Sequence, residues 1–105
     1  MSQNYLAVWE FEINPQSRGQ FEEIYGPEGA WARLFCQSQD YRGTQLLRDL
    51  TRPGRYLTLD CWSSREAFQT FKQAHAGEYE TLDQQCENLT EHEVMVGEFE
   101  EVSAK

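Results

Sequence analysis

Residues 56–75 read YLTLDCWSSREAFQTFKQAH, and the order of elements in the whole chain can be worked out from them. Tyr56, Leu57, Thr58, Leu59, Asp60, Cys61 and Trp62 are rich in β-formers, and Pro53-Gly54 and Ser63-Ser64 bound the run, so it is expected to be a strand. Ser63 followed three residues later by Glu66 has the spacing of a capping box, which would start a helix at once. Ala67, Phe68, Phe71, Ala74 and His75 recur at helical intervals and share one face, with Gly77 as the expected end of the helix. A helix packed straight onto its own strand leaves a seam, and Trp62 is expected at its mouth.

Working backwards, Thr51-Arg52-Pro53-Gly54 fits a type II turn, with a second strand expected at about residues 43–49, so the two strands form an antiparallel hairpin. Further upstream, Tyr5, Ala7, Trp9, Phe11 and Ile13 alternate with Leu6, Val8, Glu10 and Glu12, the pattern of a strand. Asn14-Pro15 then places a capping residue before a proline suited to the first helical position. A helix to about Tyr25 is expected, then a break at Gly26-Pro27-Glu28-Gly29, then a second helical piece over about 30–37 carrying Trp31, Leu34 and Phe35. Downstream, Tyr79, Leu82, Cys86 and Leu89 mark a helix over about 78–89, and the last strand is expected at about 92–99. The order β-α-β-β-α-β is the α+β, ferredoxin-like arrangement, a four-stranded antiparallel sheet with its helices on one face. The opposite face carries Leu and Val, and a twofold homodimer is the simplest cover for it.

The 105 residues make one small domain, with an ordered core expected at about 5–99 and an acidic C-terminal tail. Net charge is −9, which argues against nucleic acid and membrane partners. No basic segment leads into an apolar core at MSQNYLAV, and a cytoplasmic protein is expected. The positive charge gathers as Arg42, Arg48, Arg52 and Arg55 around the hairpin, read as a solvated tip with an anion site as the alternative. Cys36, Cys61 and Cys86 have no metal-ligand or disulfide spacing, so buried free thiols and no metal are expected.

The run Trp62-Ser63-Ser64-Arg65-Glu66-Ala67-Phe68, after Tyr56-Leu57-Thr58-Leu59-Asp60, resembles the strand, W-x-S-x-E-A-F, helix signature of the antibiotic biosynthesis monooxygenase family. So do Val8-Trp9-Glu10-Phe11-Glu12-Ile13, the proline turn after them, and Phe21. That family belongs to the dimeric α/β-barrel superfamily. The resemblance implies oxidation of a small hydroxylated aromatic or quinol-type molecule by O2 without metal, flavin or haem. In that scheme the deprotonated substrate reduces oxygen itself, and the protein supplies an apolar pocket and a proton carrier. Trp62 matches a family tryptophan associated with the pocket, and Ala74-His75 matches the way relatives often end this helix. The candidate catalytic residues are therefore Trp62, positioning substrate, and His75, relaying protons.

Trp9, Phe11, Trp31, Tyr56, Phe68, Phe71 and Tyr79 are the candidate wall of a substrate site, of which most are expected to be core. Asp60 shares a strand face with Tyr56, Thr58 and Trp62; it is read as the cross-strand partner of an arginine, with a base held in a cavity as the alternative. A second branch of the superfamily degrades haem with a first-strand Asn, a helix Trp and a His. Trp9 and Phe71 stand at the first two of those positions here, so haem degradation is not expected. A dimeric, non-catalytic small-ligand-binding or stress-associated module of the same fold is the competing function.

Overall fold

A computed structural model describes residues 4–102. Four strands form one antiparallel sheet: β1 (Tyr5–Glu12), β2 (Tyr41–Arg48), β3 (Arg55–Trp62) and β4 (His92–Glu100), in the order β2-β3-β1-β4. Helices α1 (Arg18–Tyr25) and α2 (Ala30–Phe35) connect β1 to β2, and α3 (Arg65–Ala74) and α4 (Ala76–Cys86) connect β3 to β4. Short 3-10 turns at Pro15–Ser17 and Glu87–Leu89 complete the connections. This is the expected α+β, ferredoxin-like topology.

The hairpin has the expected turn. Gly54 has φ +86° and the Arg55 amide donates to the Arg52 carbonyl at 3.2 Å, as a type II turn requires. Asp49 locks its base by accepting from the Thr51 amide and hydroxyl, the Arg52 amide and the Arg55 guanidinium. The arginines of this region have carboxylate partners: Arg48 with Glu22, Arg52 with Glu12, and Arg55 with both Glu10 and Asp49. The anion-site alternative therefore has no free guanidinium among these three.

Two helix boundaries differ from the sequence reading. Ser64, not Ser63, caps α3, accepting from the Ala67 amide at 3.0 Å, because Ser63 donates its hydroxyl to Asp40 at 2.8 Å instead. The chain breaks at His75 rather than Gly77: His75 leaves helical geometry with ψ 31°, its amide closes α3 onto Phe71, and its carbonyl opens α4 by accepting from Tyr79. Gly77 lies within α4. Nor are the thiols uniformly buried, since Cys36 just past α2 is exposed, Cys61 is half-buried and only Cys86 is buried.

All five apolar residues from Tyr5 to Ile13 at odd positions face the helices; Tyr5, Ala7, Phe11 and Ile13 are buried there. On β3 the inward set is Tyr56, Thr58, Asp60 and Trp62, every one buried. The core is divided in two: one cluster gathers Tyr5, Ala7, Leu34, Phe35, Trp62, Phe68 and Phe71, and the other Phe11, Ile13, Phe21, Tyr25, Tyr56 and Cys86. Thr58 and Asp60 lie between Tyr56 and Trp62 on the strand that joins the clusters, and Trp31 and Leu82 pack against both.

No helix among the described residues lies over the reverse side of the sheet. Leu6, Val8, Leu57, Leu59 and Cys61 are half-buried there, while Leu47, Val94 and Phe99 on the flanking strands are 45%, 42% and 51% exposed.

Gly54 in the hairpin turn and Gly77 within α4 are expected to respond oppositely to a methyl group. A Cβ at Gly54 would lie 2.5 Å from the Ile13 carbonyl oxygen on a left-handed backbone, so Gly54→Ala should cost about 1–3 kcal/mol in urea unfolding. A Cβ at Gly77 meets nothing within 4 Å, so Gly77→Ala should stabilise by about 0.5 kcal/mol.

Candidate functional site

Between the two core clusters lies a chamber walled by Trp9 and Phe11 of β1, Thr44 of β2, Thr58 and Asp60 of β3, Tyr25, Trp31 and Phe35 from the first helical pair, and Tyr79 of α4. The sheet supplies its polar floor and the helices an aromatic roof. Trp31 is the centre of that roof, with its ring 6.2 Å from Tyr25, 5.9 Å from Phe35 and 5.0 Å from Tyr79. Its cavity volume is about 40 Å³, and it opens to solvent on one side.

Cross-strand pairing accounts for the polar floor. Asp60 lies opposite Ala7 on one side and Thr44 on the other, and Trp9 lies opposite Thr58. Ala7 is too small to fill the space over Asp60, which keeps the carboxylate from being packed over on that side. The Thr44 hydroxyl donates to Asp60 Oδ1 at 2.7 Å and also hydrogen-bonds the Tyr41 hydroxyl. The cross-strand arginine expected for Asp60 is absent, because Arg55 turns to Glu10 and Asp49. Asp60 is 9% exposed. Burial pushes its carboxyl up to about 6, opposed in part by the Thr44 hydrogen bond, so it changes charge close to neutrality. Burial also raises the Tyr79 hydroxyl to about 12, reinforced by the charges of Asp60, Asp83 and Glu93, and holds Tyr25 higher still. Asp60 is therefore the group in the wall suited to accept a proton near neutral pH.

Of the residues singled out from the sequence, Trp9, Phe11, Trp31 and Tyr79 meet around this chamber. Trp62 is not at a mouth: it is 0% exposed, with its ring 5.3 Å from Phe35, 5.1 Å from Phe68, 5.3 Å from Phe71 and 5.3 Å from Tyr41. Its indole N–H finds no acceptor among the described residues. It reaches the chamber through Phe35, which touches both. Phe68 and Phe71 belong to the same packed cluster. Tyr56 is buried in the other and hydrogen-bonds Glu22. His75 stacks on Phe71 at 4.4 Å, pairs its Nδ1 with Glu78 at 2.9 Å, and faces a separate depression with Ser38, Asp40 and Thr70.

Tyr25, Thr44 and Thr58 are lining residues that the sequence reading left aside, and Phe35 stood in its aromatic set without being assigned to the wall. The signal for the two threonines was there, since polar residues at inward strand positions must face something other than packed apolar side chains. Elsewhere, Glu10, Glu12 and His92 bring possible metal-ligand atoms within 4.8 Å of one another, but Arg55 and Arg52 already occupy the two carboxylates.

No family model matches the sequence, and no curated protein does. Solved structures do match. A candidate antibiotic biosynthesis monooxygenase from Bordetella bronchiseptica superposes with a TM-score of 0.76 at 17% identity, over 96% of this chain and 99% of that one. SnoaB, a cofactor-independent oxygenase from Streptomyces nogalater, gives 0.74 at 19% identity over 98% and 97%. The chain has the antibiotic biosynthesis monooxygenase fold. The haem degrader MhuD from Mycobacterium tuberculosis also shares it, with a TM-score of 0.66 at 19% identity over 96% and 98%. No helix among the described residues is long and apolar enough to cross a membrane.

The raised carboxyl of Asp60 has a consequence for stability. Below the range of an unfolded aspartate, about 3.9, both states hold the proton and the group contributes nothing. As pH rises from there to about 6, the unfolded chain ionises while folded Asp60 stays protonated, so the native state loses stability over that window. Asp60→Asn, which keeps an acceptor for Thr44, should therefore gain about 2 kcal/mol relative to wild type between pH 4 and pH 7 in chemical unfolding. An unchanged difference across that range would place Asp60 in contact with bulk water.

Proposed function

We propose that this protein is a cofactor-independent monooxygenase that oxidises a small hydroxylated aromatic or quinol-type molecule with O2. The observation that carries the reading is a lone buried carboxylate, Asp60, set in the polar floor of an aromatic chamber. The neighbours' fold supports it. The ligand's ring lies at the open mouth above the floor, between Trp9, Trp31 and Tyr79. Asp60 accepts a proton from the ligand, which leaves an electron-rich molecule able to reduce O2, and the surrounding rings keep water away. Trp9, Phe11, Trp31 and Tyr79 hold the ligand, and Trp62 acts as a positioning residue by fixing Phe35. His75, in its own depression, is outside the proposed chemistry.

The protein acts as a homodimer, its two uncovered sheet faces joined about a twofold axis. Exposed Leu47, Val94 and Phe99 around half-buried Leu57 and Leu59 form the apolar area to be covered. Its place of work is the cytoplasm.

Oxygen consumption over a panel of quinols and anthrones tests the activity. Wild type should turn over at least one member, Asp60→Asn should lower kcat by about 10²-fold, and His75→Ala should leave turnover unchanged. Ligand-induced thermal stabilisation with no conversion of any member would instead identify a binding module. Light scattering at micromolar concentration should give a dimer, and Leu57→Glu should shift it towards monomer; a monomeric wild type would remove the proposed interface.

A further inference from the structure

Once Asp60 has lost its proton, the chamber holds a negative charge with no cationic side chain among the described residues in its wall. Asp60 has Thr44 as its hydrogen-bond donor, and among the described residues no Lys or Arg lines the wall. Taking a carboxylate out of water without a cation beside it costs several kcal/mol, so such a group either keeps its proton or, when ionised, favours a cation that arrives from outside.

The roof is built for the same kind of guest. Trp9, Trp31 and Tyr79, with Phe11, Tyr25 and Phe35, present aromatic rings around the space above the carboxylate, and the negative face of a ring attracts a cation. Tyr79 already shows this attraction on the surface, where exposed Lys72 holds its ammonium 5.3 Å from that ring and 5.3 Å from Phe68. Asp83 and Glu93 add negative potential that reaches Tyr79. A chain with net charge −9 and no Lys or Arg after Lys72 until its last residue would draw a positive ligand towards this side.

We propose that the chamber selects aromatic ligands bearing a protonated amine, with the ammonium seated on Asp60 inside the aromatic walls and the ring in the mouth. This rests on the chamber being the ligand site, and it assigns Asp60 to anchoring the ligand's ammonium, the alternative to its taking a hydroxyl proton. A neutral hydroxyl leaves the ionised carboxylate's charge unbalanced unless it passes Asp60 a proton, and an anionic ligand would be repelled by it. An ammonium satisfies the charge, the remaining acceptor capacity of Asp60 and the quadrupoles of the rings together.

Benzylammonium, benzyl alcohol and benzoate differ in the charge of the group that would meet Asp60 while sharing one ring. Titration calorimetry at mildly alkaline pH, with quenching of Trp9 and Trp31 as a second readout, should show benzylammonium binding at least about tenfold tighter than benzyl alcohol, and benzoate weakest. Asp60→Asn should reduce the cation's advantage to about threefold or less while leaving benzyl alcohol affinity within about twofold. Equal or better binding of the neutral probe to wild type overturns the amine preference but leaves the chamber as the ligand site. The same result follows if quinols or anthrones bind and benzylammonium does not. Failure of every probe, charged or neutral, removes the chamber as a ligand site and this proposal with it. The wild-type comparison stands even if the variant does not fold.

Discussion

A buried strand that must carry two polar residues between two aromatic ones imposes the constraint from which the rest follows. Tyr56 and Trp62 each anchor a cluster of rings, but Thr58 and Asp60 between them cannot be packed over with apolar atoms without losing their solvation. The two clusters therefore close around the ends of β3 and leave its middle open. Ala7 and Thr44, the cross-strand neighbours of Asp60, fit that arrangement: one is small and the other supplies a hydroxyl.

The helices are arranged to cover this divided floor. Helix α1 brings Phe21 and Tyr25 to one cluster, α3 brings Phe68 and Phe71 to the other, and α2 and α4 cross the gap with Trp31 and Tyr79. A ring set at a gap cannot be fully enclosed by its own cluster, which is why Trp31 and Tyr79 stay half-buried while Trp62 and Phe21 do not.

The fold was legible because its signals are local. Alternation in residues 5–13, the Pro53-Gly54 turn and the aromatic face of residues 67–75 each depend on neighbours a few residues apart. The site was legible only in part, for a physical reason. Which of many rings line a cavity depends on cross-strand register, and register places Thr44 beside Asp60 from sixteen residues away. The resemblance drew attention to Trp62 and His75, but the first is sealed inside its cluster and the second is turned outward by the break between α3 and α4. Asp60 stood in the inward set from the start, and its meaning changed once Arg55 proved to be engaged elsewhere.

Helix α2 is only six residues long, and it hangs from Gly29, where any side chain would press into the carbonyls of Glu23 and Ile24. The centre of the chamber's roof is thus a short replaceable tile hooked onto the end of its neighbour, separate from the hydrogen-bonded sheet beneath. Substitutions confined to that tile can reshape what is admitted without touching strand pairing, so descendants of one scaffold can diverge in ligand while their architecture stays fixed.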